Sequence, residues 1–207
     1  MVDISWHAAG ESALLLEVDS LATAHRIWAG LRAADLPGVL DLVVGASTVL
    51  VTVDPLSCDP EGVVRAAAAA GAAPVAEPRT VEIPVVYDGA DLADVAGRAG
   101  MSIEDVVRVH SESAYLVAFL GFAPGFGYLT GLDPRLRLPR RDSPRTRVPA
   151  GSVAIAGEYT AVYPKPTPGG WHLLGRTEVS VFDPGAVRPA LLGPGDRVRF
   201  VPAGEFR

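Results

Sequence analysis

The side chains best able to do chemistry lie in one stretch of the chain, residues 119–177. Within it Arg141, Arg145, Arg147 and Arg176 supply guanidinium forks, and Lys165 is the one lysine in the sequence. Tyr128 and Trp171 add aromatic rings with a polar handle, and His110 stands just upstream, near the end of a candidate helix. An arginine fork grips a carboxylate or phosphate at two points, and lysine or tyrosine can steady a developing negative charge. His110 could act as an acid–base group or as a packed or capping histidine. Trp171, behind Gly169 and Gly170, could be a core anchor or a lid over a ligand. The set suits binding and electrostatic stabilisation better than nucleophilic attack.

Other chemistries lack their residues. Ser152 lies in A-G-S-V, which is not the G-x-S-x-G elbow of a nucleophilic serine. Gly121, Gly125 and Gly127 do not form G-x-G-x-x-G ahead of a helix, and no G-x-x-x-x-G-K-[ST] occurs. Any ATP used would therefore bind another chain. His7, His25, His110 and His172 show no paired spacing and Cys58 stands alone, which gives neither a metal site nor a disulfide. A reducing cytoplasm is the simplest compartment. The net charge of −6 argues against a nucleic-acid partner, and no run of roughly 18 apolar residues is present to cross a membrane. The N-terminal M-V-D-I-S-W-H has no signal-peptide pattern. Before residue 79 only Arg26, Arg32 and Arg65 offset the acids, whereas bases bunch at Arg135, Arg137, Arg140, Arg141, Arg145 and Arg147. That bunch fits a carboxylate, a phosphate or an acidic partner.

Loops so rich in Gly and Pro need a rigid frame. In the first part of the chain, strands are expected over 13–18, 39–44 and 49–53. A helix begins near Leu21 behind Asp19 and Ser20, and a second follows Asp59–Pro60 as far as Gly71. This ββαββα-like order predicts a small α+β domain over residues 1–76. Pro74 and Pro78 mark 73–79 as the linker. Residues 77–207 should then form a mainly-β, barrel-like domain. Its strands are expected at 80–87, 115–121, 153–156, 160–163, 173–174, 179–182 and 197–201, with helices at 92–99 and 103–110. Ser102, three residues before Asp105, caps the second helix.

The run G-F-A-P-G-F-G-Y-L, then P-R, V-P-A-G-S-V-A-I-A-G and Y-P…P-G-G-W-x-L-x-G-R-T, resembles the family of the 5-oxoprolinase B subunit. That family also includes allophanate hydrolase subunit 1 and the histidine-kinase inhibitor KipI. The resemblance extends to G-E-S-A-L-L-L-E-V, I-P-V-V-Y-D-G-A-D-L and L-G-P-G-D-R-V-R-F, so it covers essentially the whole chain. It implies an α+β N-terminal domain and a cyclophilin-like barrel. It also implies two partners. One is a homologous barrel subunit, like the 5-oxoprolinase C subunit or allophanate hydrolase subunit 2, and the other resembles the 5-oxoprolinase A subunit. ATP hydrolysis by the assembly would drive ring opening of 5-oxo-L-proline to L-glutamate. Two alternatives come with the family: a KipI-like inhibitor of a sporulation-type histidine kinase, and the carboxyltransferase half of a urea-carboxylase-type enzyme, which would need biotin on another chain. The matched motifs imply His110, Arg145, Lys165 and Arg176 as catalytic groups. They imply Phe122, Pro124, Gly125, Phe126, Tyr128, Arg141, Arg147, Gly151, Ser152, Thr160 and Trp171 as substrate-binding ones. No metal or cofactor ligand is implied on this chain. One departure stands out: Ser47 occupies a place where the family often has a basic residue.

Overall fold

A computed structural model describes residues 4–71 and 78–204. By internal contacts the chain divides into two compact units, Met1–Glu77 and Pro78–Arg207. The linker expected over 73–79 falls, as far as residue 77, outside the described residues. No described helix is long and apolar enough to cross a membrane.

In the first unit the elements are β1 (Ser5–Ala8), β2 (Ala13–Glu17), α1 (Leu21–Ala34), β3 (Val39–Val44), β4 (Thr48–Val53) and α2 (Pro60–Gly71). The strands form an antiparallel sheet in the order β1-β2-β4-β3. Alternation along β2 and β4 buries Leu14, Leu16, Val49, Val51 and Val53, while Ala24, Ile27 and Leu31 bury one face of α1. Ser20 Oγ accepts from Thr23 N at 3.3 Å, which is the cap expected from the sequence. Ser47 sits in the β3–β4 hairpin, where its carbonyl accepts from Val18 N.

The second unit begins with β5 (Thr80–Val85), α3 (Leu92–Ala99), α4 (Ile103–Glu112), β6 (Tyr115–Leu120) and β7 (Gly127–Thr130). It continues with a short 3-10 turn (Pro134–Leu136), β8 (Arg145–Val148), β9 (Ser152–Ala156), β10 (Tyr159–Val162), β11 (Thr167–Gly169), β12 (His172–Arg176) and β13 (Arg197–Pro202). Seven strands form one sheet in the order β12-β9-β10-β7-β6-β13-β5. Val86 and Arg176 exchange two backbone hydrogen bonds, of 2.9 and 2.8 Å, and so join its two edges into a barrel. The segment 179–182, expected as a strand, is a loop in which only Phe182 makes an isolated bridge, to Ala190. Its apolar alternation is spent instead on covering the barrel end with Val181.

Strand β9 is buried along its whole length. Val153 and Ile155 point into the main core with Leu129, Val162 and Leu174. Ala154 and Ala156 face the other way, into a second cluster with Phe126, Tyr163 and Trp171. That outer face is roofed by the two-stranded β8–β11 ribbon. Alternating large and small residues in V-A-I-A are what allow one strand to serve both layers.

Candidate functional site

Loop 121–126 is shaped by its own sequence. Ala123 N donates to Gly121 O at 2.7 Å, closing a three-residue turn centred on Phe122 at φ +68°. Phe126 N donates to Ala123 O at 2.9 Å, closing a second turn with Pro124 and Gly125 at its centre. Gly125 has φ +79°, the angle a type II turn demands after proline. An aromatic residue at positive φ costs about 1–3 kcal/mol, and such strain persists only where the surrounding structure fixes it. The strained turn holds the Phe122 ring 62% exposed, edge-on to Phe126 at 5.2 Å.

Behind that ring, Phe126, Tyr128 and Trp171 meet edge-to-face at 5.1–5.7 Å. They form a cleft of about 70 Å³ on the outer barrel face, closed by Tyr163, Arg140 and residues Pro168–Gly170. A Cβ at Gly169 would overlap the Tyr163 hydroxyl, so glycine there keeps the floor open. Burial raises the Tyr163 hydroxyl pKa, while a backbone hydrogen bond from Trp171 and the nearby Arg140 charge pull it down. The cleft is far below the ~300 Å³ of a drug-sized ligand pocket, so it admits part of one compact group and no nucleotide.

The structure sorts the expected site residues sharply. Phe122, Phe126, Tyr128 and Trp171 line the cleft, and Pro124 and Gly125 build its rim turn. Arg141 and Arg145 do not line the cleft. Both grip Asp91, Arg141 through Nη1 at 2.6 Å and Arg145 through both Nη atoms at 2.9 and 2.7 Å. Leu173 N adds a fourth hydrogen bond to the same carboxylate, at 2.7 Å. Burial alone would raise the Asp91 pKa, but the bonds from Arg145 and Leu173 and both guanidinium charges outweigh it and hold it below the ordinary value. Arg176 is exposed and pairs with Asp88 at 2.8 Å and Glu178 at 3.6 Å. Arg147 and Lys165 are exposed on and beside the β8–β11 ribbon, and neither lines the cleft. Gly151, at φ +75°, and Ser152 form the turn that enters β9.

His110 is a correction to the acid–base expectation. It is fully buried inside the barrel and stacked on Phe200 at 4.8 Å. The Thr160 hydroxyl donates to Ala154 O at 3.1 Å, so it accepts from His110 Nε2 at 2.9 Å. Nδ1 then accepts from the Tyr87 hydroxyl at 2.8 Å. Burial lowers the imidazole pKa to about 3, so it stays neutral, and both ring nitrogens are used. His110 and Thr160 are thus core residues, away from the cleft. Sequence reasoning missed Asp91 and Tyr163 as parts of this region. Arg140 was visible only as one of the bunched bases and not as a site residue.

Among known proteins, the chain matches the family described as carboxyltransferase domain, subdomain C and D, over residues 4–192. The 5-oxoprolinase B subunit of Escherichia coli O157:H7 is 46% identical over 206 residues, covering 95% of this chain and 94% of its own. The crystal structure of TTHA0988 superposes with a TM-score of 0.84 at 41% identity, covering 94% of this chain. This chain spans 40% of that longer one. The urea amidolyase of Saccharomyces cerevisiae is 31% identical over 54% of this chain, which spans 6% of its length.

Proposed function

Since the chain belongs to the carboxyltransferase subdomain C and D family, we propose that it serves as the B-type component of an ATP-dependent 5-oxoprolinase. The observation that carries this reading is the end-to-end match to the Escherichia coli protein, at 46% identity. The urea amidolyase match, by contrast, reaches about half of the chain at lower identity. In this role the chain contributes the outer-face cleft to a site completed by a homologous barrel protein of the C type and a third protein of the A type. The aromatic walls hold the ring of 5-oxo-L-proline and exclude water from it. The cleft has no room for a nucleotide and the sequence carries no phosphate-binding motif, so in this reading ATP is handled on another chain.

The test is reconstitution. The chain is mixed with the two partner proteins, and ATP-dependent release of L-glutamate from 5-oxo-L-proline is followed. Turnover should require all three proteins, and the chain alone should consume no ATP. Absence of glutamate from the complete set overturns the assignment.

A further inference from the structure

The geometry points to Arg140 as the residue that reads ligand charge in the aromatic cleft, and to a small ring-bearing carboxylate as that ligand. This deepens the 5-oxoprolinase reading and rests on it for the reaction, but the ligand chemistry is argued from the cleft itself.

Arg147 and Lys165 are exposed and do not line the cleft, and the other nearby arginines are already committed. Arg141 and Arg145 hold Asp91, Arg176 holds Asp88, Arg135 holds Asp133, and Arg137 Nε donates to Leu132 O. Arg140 is exposed, lines the cleft, and has no ion-pair or hydrogen-bond partner among the described residues. Its backbone, however, is pinned on both sides. Pro139 O accepts from His172 Nε2 at 2.9 Å, and Arg141 N donates to Gly170 O at 2.8 Å. The Arg141 side chain is anchored in turn on the buried Asp91. A free guanidinium on a fixed base is pre-organised for an anion, because little backbone entropy is left to lose on binding.

The rest of the cleft narrows the anion. One guanidinium matches the single charge and two oxygens of a carboxylate. A phosphate dianion would call for further cations, and none lines the cleft. The same cleft is lined by Phe122, Phe126, Tyr128 and Trp171, whose faces and edges suit a compact ring. The volume of about 70 Å³ restricts the cleft to part of one compact group, whose remainder reaches the exposed Phe122 and Arg140 at its rim. His172 and Asp91 act on the ligand only through Arg140 and are positioning residues.

The experiment uses the full chain, alone and in the reconstituted complex. The probes are 5-oxo-L-proline, cyclopentanecarboxylate and the neutral 5-oxo-L-prolinamide, titrated calorimetrically against wild type, Arg140→Ala and Arg140→Lys. Arg140 is exposed and unpaired, so both variants should keep the wild-type melting temperature. Wild type should prefer the acids over the amide by about 10- to 100-fold, the ratio a charge-assisted pair supports. Arg140→Ala should lose that preference while its affinity for the amide barely moves. Arg140→Lys should recover part of it, as a point charge without the fork. An acid preference that survives in Arg140→Ala, or no preference in wild type in either form, overturns the inference. If the complex releases glutamate with the same KM and kcat in Arg140→Ala, this inference falls and the 5-oxoprolinase reading stands. If acids are preferred through Arg140 yet no glutamate forms, the reverse holds.

Discussion

Two adjacent arginines with opposite fates show how little residue type decides here. Arg141 is tied into a buried carboxylate, while Arg140, one position earlier, faces an open cleft. Asp91 makes the difference, since it collects four hydrogen bonds from three residues, Arg141, Arg145 and Leu173. Replacing it with Asn removes the charge while nearly preserving shape, and leaves two guanidiniums without their counter-ion. Breaking such a pair costs about 3 kcal/mol, reduced because both arginines keep some water contact. Urea unfolding of Asp91→Asn should show a loss of about 2 kcal/mol at neutral pH, on the same basis. The pH dependence has a fixed sign. Asp91 titrates below its ordinary value in the folded state, so its contribution is complete above about pH 4 and drains away as pH falls through the lowered folded value. Asp91→Asn should therefore be less sensitive to acid than wild type, and an equal acid slope would contradict the clamp. None of this was legible beforehand. Asp91 meets its partners 50 to 82 residues along the chain, beyond any local pattern. The aromatics were legible, because F-A-P-G-F spells its own turns.

At the scale of elements, what could be read from sequence is what forms locally. The helices announced themselves through Ser20, Ser102 and Asp59–Pro60, and Ser102 does accept from Asp105 N at 3.0 Å. The β8–β11 ribbon stayed hidden, because R-T-R-V and T-P-G are short and carry no apolar alternation, and Pro and Gly in the second oppose a strand. It is held by the layer beneath it, a tertiary cause. The segment 179–182 failed in the opposite sense, having strand-like residues with no free sheet edge to join. Barrel closure is also an element-scale property, concentrated at Gly175. There the β9–β12 register shifts, and a Cβ would overlap Val86 O. Gly175→Ala should break the Val86–Arg176 bridge and cost at least about 2 kcal/mol, as steric overpacking of a buried site does. Thermal melting reads the cost, and amide exchange at Val86 and Arg176 reads the bridge. A variant that melts with wild type would mean closure lies elsewhere.

For the second unit as a whole, the order of strands sets the order of events. The first strand, β5, pairs in parallel with the last, β13, with Thr80 opposite Arg197. Strand β13 also lies between β5 and β6, so it links them in the sheet. A chain ending at residue 196 should keep the first unit folded but leave the barrel split. Strand β5 would lose its one ladder partner and keep only the Val86–Arg176 bridge beyond its end, and Phe200 would be missing from the core. Circular dichroism of that truncation should show lost strand signal and no cooperative barrel melt, and a native-like melt would refute this placement. There is a consequence for synthesis. Contacts joining the two ends of a domain are slow to find, because the whole intervening loop must be closed first. A ribosome extending this chain can release a finished first unit early. It must then carry the barrel strands open, with Ile83 and Val85 uncovered, until β13 clears the exit tunnel. The cleft-bearing unit should therefore need shielding from aggregation during synthesis until β13 has paired with β5.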